Sequence, residues 1–464
     1  MSGEQIHFVT GRLAEYSLRE MLEDLAPRVG FDYTVGVMPI TVAALIRPKW
    51  LARRLVVPTG TTRVLLPGYC NGDLTVIEGA AGVPVEAGPK DLRQLPEHFG
   101  KTTSHDTEEW DIEIVAEINN CPRLELDAIM AEAARLACDG ADIIDVGCEP
   151  GGQWTGVADC VWSLRDAGYR VSIDSFDPEE IEKAICAGAE LVLSVNSSNR
   201  DAAKDWDAEL VVVPDDPDTL TGLDETIEML AAAGRRIRID PILAPIGVGF
   251  ARSLQRYFDV RRRYPDAEML MGIGNLTEMT DVDSAGINVL LLGICQELGV
   301  RRVLTTQVIN WARNSVRECD LARRLVHRAV GRGVPPKHME SRLLTLRDEK
   351  LYESGEAALT QLSRDIEDDN YRIFAEHERL HLISSGLHLT DVDPYGLFAQ
   401  LLAMHPKNVD ITHAFYLGFE LAKAYTALQL GKNYRQDQPL DWGYLTRDER
   451  FVRLKRSYAK QTTE

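Results

Sequence analysis

Apolar runs of three to seven residues recur eight times in the middle of the chain, at 112–118, 143–146, 170–173, 191–195, 210–213, 236–239, 269–273 and 303–305. They are almost wholly apolar, the pattern of strands covered on both faces. Between them lie stretches with apolar residues at helical spacing: 126–138, 179–187, 224–233, 252–264, 284–298 and 314–330. Eight βα units in about 220 residues predict a (β/α)8 TIM barrel over 111–332. An open doubly wound sheet is the alternative.

The rhythm differs on either side. Residues 6–10 read as a strand, 18–25 as a helix and 33–38 as a strand; a helical run follows, then strand candidates at 55–57 and 64–66. Alternating strand and helix predict a small α/β domain over 1–105. The polar stretch 101–109 reads as a linker. Past Gly333-Val334-Pro335-Pro336, residues 337–464 predict an α+β domain: a charged helical region, a β-like region at 371–389 and a long helix. Asp410 is its candidate N-cap and Gly431 its stop signal.

Composition narrows the function. The net charge of −21 over 464 residues argues against a nucleic-acid surface, which needs Lys and Arg in excess. Anionic small substrates remain open, because they need only a local cationic or amide-lined pocket. Eight cysteines without a C-x-x-C pair are expected to be reduced and mostly buried. The start, MSGEQIHFVTG, lacks the pattern of a signal peptide, and no run approaches the ~20 apolar residues of a membrane helix. The expectation is a soluble, cytoplasmic protein.

In a barrel of this type the chemistry sits at the C-terminal strand ends. There the chain places Asn119-Asn120, Asp145, Asp174, Asn196, Asp215-Asp216, Asp240, Asn275 and Thr306-Gln307. Carboxylates and carboxamides dominate, with no Lys and no Ser–His pair. Such a set suits a flat heterocycle with an amide-like edge. A carboxylate accepts a ring N–H and an exocyclic amine, and a carboxamide donates to one ring atom and accepts from another. A site of this kind rejects a substrate lacking the matching edge by a factor of about 10⁴–10⁵. Any one of these residues alone could equally be a turn former or helix cap, the reading preferred for Glu149, Asp215 and Asp216. A carboxylate ring could also hold a divalent metal. The His–carboxylate pattern of a transition-metal site is missing, so no metal ligands are assigned and Mg²⁺ is left open.

Local sequences then resemble a known family. DGADIIDVG (139–147), VSIDSF (171–176), AGAELVLSVNS (187–197) and IDPILAPIGVGF (239–250) are similar, in order, to the second, third, fourth and sixth strand motifs of dihydropteroate synthases. By motif match the resemblance implies pterin binding by Asp174, Asn196 and Asp240. The strand-end residues Asn120, Asp145 and Asn275 complete the candidate pterin-binding set, with Asp174 and Asn275 as the catalytic candidates. The segment GIGNLTEM is closer to a turn of the pterin-dependent methyltransferases, in which the Asn lies near the methyl-bearing nitrogen; Asn275 is the matching position.

With its HAFYLGFELAKA and GKNYRQDQPL segments, the chain as a whole resembles the dihydropteroate-synthase-like proteins of organisms that use tetrahydromethanopterin. The resemblance implies transfer of a pterinylmethyl group from its diphosphate to an aryl amine such as ribofuranosylaminobenzene phosphate. A reduced pterin would be the substrate, without a nucleic-acid or membrane partner. By analogy the barrel would form a homodimer. A pterin-dependent methyltransferase and a non-catalytic pterin-binding protein are the alternatives.

The Arg, Lys and His positions that bind diphosphate in the synthases are absent here, leaving Arg123, Arg252 and backbone amides as candidate donors. Finally, His377-Glu378-Arg379-Leu380-His381 matches H-E-x-x-H, but the continuation LHLISSGLHLTDVDP is strand-like, so a zinc-protease site is not expected. His413, Glu420 and Lys423 fall roughly on one side of the long helix, read as a solvated or interdomain face.

Overall fold

The computed structural model describes residues 4–449 apart from 41–42, 44–45, 71, 90–91, 93–94, 100–108, 150 and 338. The stretch read as a linker therefore lies almost wholly outside the described residues. The chain divides into two compact units, Glu108–Leu343 and the paired segments Met1–Thr107 and Leu344–Glu464. No helix among the described residues is long and apolar enough to cross a membrane. None of the eight cysteines is paired; Cys138 and Cys186 are exposed.

Four parallel strands, β1 (Glu4–Gly11), β2 (Phe31–Met38), β3 (Arg63–Leu66) and β4 (Val85–Ala87), form the N-terminal sheet in the order β2-β1-β3-β4. Alternation along β1 feeds two cores. Ile6 and Phe8 pack with Leu18, Leu22 and Leu25 of the helix Glu15–Val29. Val9 packs on the other side with Met38, Leu51, Val64 and Ile77. Residues 55–57 form no strand. The Leu55 N–H donates to Leu51 O at 2.8 Å, closing a turn after the helix Pro48–Leu51, and Val56 is exposed.

The middle of the chain is a closed parallel barrel of eight strands: β5 (Glu113–Ile118), β6 (Ile143–Gly147), β7 (Val171–Asp174), β8 (Leu191–Val195), β9 (Glu209–Val212), β10 (Arg236–Ile239), β11 (Glu268–Gly272) and β12 (Arg302–Thr305). Closure runs from β12 to β5, with Arg302 opposite Glu113 and Thr305 opposite Ala116. Every strand lies within one residue of its predicted bounds. The helix Val157–Asp166 was not anticipated. It buries Val157, Cys160, Val161 and Leu164 at i, i+3, i+4 and i+7, a short stripe, with the apolar Trp162 exposed on another face.

The strands are less apolar than expected, and period two explains where the charges go. One set of side chains, including Ile114, Ile144, Ile173, Val192 and Met271, joins the large core shared with the helices. The other set meets inside the barrel as a smaller core of Val115, Ile143, Leu191, Leu193, Val211, Val213 and Leu270. Glu113 and Glu117 flank Val115 on the same side of β5, and Asp145 follows Ile143 by two. The interior is therefore an apolar plug between two polar layers. In the N-terminal layer Arg302 pairs with Glu113 on the adjacent strand and reaches across to Glu209 at 2.5 Å. Arg238 pairs with Glu209 at 3.0 Å and Glu268 at 3.1 Å.

In the C-terminal part, β13 (Arg372–Glu376), β14 (Arg379–Ser384) and β15 (Leu387–Asp391) form an antiparallel sheet. Leu380 and Leu382 pack with Leu397, Leu401, Leu417 and Leu421 of the helices Pro394–Ala403 and Ile411–Leu430. The Asp410 side chain accepts the His413 N–H at 2.8 Å, and Gly431 ends the long helix with φ 70°. H-E-x-x-H is not helical, as expected, but its first two residues form a turn: His377 and Glu378 have φ 49° and 61°, and the strand starts at Arg379. The solvated-face reading of the long helix is corrected. Glu420 and Lys423 are buried as an ion pair at 2.9 Å, and Glu420 also accepts Tyr434 OH at 2.6 Å. His413 instead bonds Asn408 O at 2.7 Å.

Candidate functional site

Three adjacent strands bring Glu117, Asp145 and Asp174 together, each with a carboxylate oxygen within 4.8 Å of the others. Register does part of this. Glu117 lies opposite Asp145, and Asp145 opposite Ser172, whose Oγ donates to Asp145 Oδ1 at 2.5 Å. Asp174 follows Ser172 by two and accepts Ser194 Oγ on Oδ1 at 2.9 Å. Ser194 has φ 66° at an irregularity between β8 and β9. Gly147 leaves room for Glu117: a Cβ there would lie 2.7 Å from Glu117 Oε1.

Among the described residues, no Lys, Arg or His pairs with these three carboxylates. Burial, then the Asp174 and Glu278 charges, pushes Glu117 up to about 7. Burial, then Asp174 and Glu117, pushes Asp145 well above the carboxylate range. Burial also raises Asp174. Asp145 is wholly buried and its Oδ2 has no partner; Asn119 Oδ1 is likewise buried without one.

A second group forms around Asp240, which follows β10. Its Oδ1 accepts Tyr257 OH at 2.6 Å and Ile242 N–H at 2.8 Å. Burial drives its carboxyl up to about 6, against the hydrogen bonds from Tyr257, Ile242 and Gly272. Asn275 joins this group. A Cβ on Gly272 would stand 3.6 Å from Asn275 Nδ2 and 3.8 Å from Asp240 Oδ2, and Asn275 Nδ2 donates to Leu243 O at 3.1 Å. The absent side chain keeps space open beside both polar ends.

The structure thus groups Asp145 with Asp174, and Asp240 with Asn275. Asn196 lies at the end of β8 in a local turn, its Oδ1 accepting Ser198 N–H at 2.9 Å and Ser198 Oγ at 2.6 Å. Asn120 is exposed with φ 54°, and the neighbouring Asn119 holds the buried carboxamide oxygen. Arg123, a candidate anion donor, is paired with Glu149, and Arg252 is exposed on the helix Phe250–Arg263. Asp216 forms a local turn, accepting the Asp218 N–H at 3.0 Å, whereas Asp215 accepts the Ser197 N–H at 3.1 Å and so ties together the loops after β8 and β9. Glu117, Glu278, Ser172, Ser194 and Tyr257 were missed. Inward parity with Val115 is the signal that would have found Glu117.

The fold and this mouth define a (β/α)8 barrel with a polar, acidic C-terminal face. Residues 119–230 match the family model described as pterin binding enzyme, and residues 4–90 match a family of unknown function (DUF6513). The barrel is therefore similar to the pterin-binding enzymes. An uncharacterized protein of Methanocaldococcus jannaschii is 25% identical over 526 aligned positions, covering 93% of this chain and 98% of that protein. Among solved structures, Yersinia pestis dihydropteroate synthase with a pterine-sulfa conjugate is 18% identical at TM-score 0.38, covering 48% of this chain and 95% of that one. Xanthomonas albilineans dihydropteroate synthase with 7,8-dihydropteroate is 22% identical at TM-score 0.37, covering 50% and 96%.

Proposed function

We propose that the barrel mouth binds a reduced pterin and that the chain transfers a pterinylmethyl group from its diphosphate to an aryl amine. The observation that carries this reading is Asp240, a buried carboxylate at a strand end, held by a tyrosine and backbone amides inside a pterin-binding barrel. Such a carboxylate accepts a ring N–H and an exocyclic amine side by side. In this reading Asp240 and Asn196 hold the pyrimidine edge, Asn275 sits beside the same ring, and Asp174 faces its other edge. The amine nitrogen forms the C–N bond as the C–O bond to diphosphate breaks, and the amine proton leaves. Positioning and charge stabilisation supply most of the rate in such a transfer. The resemblance of the C-terminal segments supports a place in tetrahydromethanopterin synthesis, with ribofuranosylaminobenzene phosphate as the amine.

Calorimetry with a reduced pterin tests the binding step. Asp240→Ala is expected to lose about 2–4 kcal/mol of affinity; unchanged affinity in the folded variant sinks the assignment. Incubation with a pterinylmethyl diphosphate and an aryl amine then tests the chemistry, with diphosphate release expected only when both are present. The position of Asn275 beside Asp240 favours one second reading, methyl transfer from a methyl-tetrahydropterin. Methyl transfer without diphosphate release would select it.

A further inference from the structure

The acidic end of the barrel interior poses a physical problem. Three carboxylates from adjacent strands converge to within 4.8 Å, and no basic side chain among the described residues pairs with them. Burying carboxylates without compensation is costly. Asp145 sharpens the point. It is wholly buried, its Oδ1 is taken by Ser172 Oγ, and its Oδ2 has no partner. With Oδ1 turned to β7, Oδ2 is the oxygen left for the space that Asp145 shares with Glu117 and Asp174. The N–H edge of a flat ring meets one or two carboxylates in its own plane. Here three carboxylate oxygens from three strands, each within 4.8 Å of the other two, share one space that a single ion could bridge.

A hard divalent cation fits that space. Its oxygen ligands, at about 2.0–2.6 Å from the ion, stand at most about 4–5 Å apart across it, and the separations here are within 4.8 Å. No His or Cys joins the group, which favours Mg²⁺ or Mn²⁺ over zinc or copper. Asn119 Oδ1, a buried oxygen without a partner two residues beyond Glu117, offers a neutral oxygen at the same strand end.

We propose that Glu117, Asp145 and Asp174 hold one hard divalent cation, Mg²⁺ or Mn²⁺, and that this ion receives the anionic leaving group in place of arginine and lysine side chains. The second half rests on the transferase reading; the first does not. On this assignment Asp174 acts on the substrate through the ion.

The test is a Mn²⁺ titration of the metal-stripped full chain, read by electron paramagnetic resonance. One Mn²⁺ per chain is expected, displaceable by Mg²⁺. Glu117→Gln and Asp145→Asn should each weaken it by at least the roughly 10–100-fold that loss of an outer-shell partner brings, while Asp240→Asn leaves it unchanged. Absence of stoichiometric Mn²⁺ on the wild type, or equal binding in a folded Glu117→Gln protein, overturns the site. Calorimetry with inorganic diphosphate tests the ion's role: binding is expected with Mg²⁺ and not in EDTA, and equal binding in both overturns it. Pterin affinity measured in EDTA separates the two readings. Pterin binding without Mn²⁺ binding sinks the cation site alone. Mn²⁺ binding without pterin binding sinks the transferase reading and leaves the site standing.

Discussion

At the N-terminal end of the barrel interior, Glu113 and Glu209 are bracketed by Arg170, Arg238 and Arg302. At the C-terminal end, no basic group among the described residues pairs with Glu117, Asp145 and Asp174, which have one another, Glu278 and the hydroxyls of Ser172 and Ser194 for neighbours. Burial pushes the carboxyls up at both ends. At Glu113 and Glu209 the arginine hydrogen bonds and charges outweigh it, and both lie below the ordinary range. At the other end nothing opposes burial strongly enough, and all three lie above. The same residue type thus serves structure at one end and stays uncompensated at the other, the end where barrels of this kind carry their chemistry.

Breaking the compensated end should have the largest effect. Arg302→Met leaves Glu113 and Glu209 without a partner that spans the interior. Removing one member of a buried ion pair costs about 3–5 kcal/mol, read as a lower urea midpoint at neutral pH. A loss near zero would mean that the layer is solvated and that the contrast between the two ends is not one of burial.

Asp240 sharpens the other side. Its folded carboxyl titrates at about 6, against an ordinary 3.8. A raised carboxyl means that the folded state binds the proton more tightly, so stability falls as pH rises from 4 through 6. The penalty is absent below the ordinary value and complete above the folded one, amounting to about 3 kcal/mol. Urea melts of the ligand-free chain between pH 4 and 7.5 are expected to lose a component of that size in Asp240→Asn relative to the wild type. An identical pH dependence in both would remove Asp240 from the uncompensated set.

Much of this is legible in the sequence alone. Strands covered on both faces leave unbroken apolar runs, so all eight were placed to within a residue. Strand-end reasoning singled out Asp145, Asp174 and Asp240 because a carboxylate ending such a run has few structural reasons to be there. Glu117 escaped because it lies one residue inside its strand, short of the strand end where the chemistry was sought; its parity with Val115 held the information. Glu278 and Tyr257 carry no local signal. Tyr257 is an ordinary helix residue until folding carries its hydroxyl to Asp240, seventeen positions earlier. Residues 55–57 show the opposite failure, an apolar cluster without a neighbouring strand to pair with.

The smallest effect should come from Tyr257, and it tests whether Asp240 reads the ligand as a charge. The hydroxyl is wholly buried and donates to Asp240 Oδ1 at 2.6 Å. Burial and the adjacent carboxylate hold the phenol well above its ordinary value, so it remains a donor at every relevant pH. Tyr257→Phe removes that donor and little volume. A hydrogen bond to a charged group contributes about 1.5–3 kcal/mol, and the change falls on the charged form of Asp240, which then protonates more readily. Pterin affinity should therefore weaken modestly at pH 8 and more at pH 6.5, with its midpoint moving upward by about one pH unit. Calorimetry of the reduced pterin across that range measures it. A uniform loss at all pH values would make Tyr257 a packing residue. An unmoved midpoint would mean that the ligand does not meet the Asp240 carboxylate, and recognition of the substrate would then shift to the acidic trio.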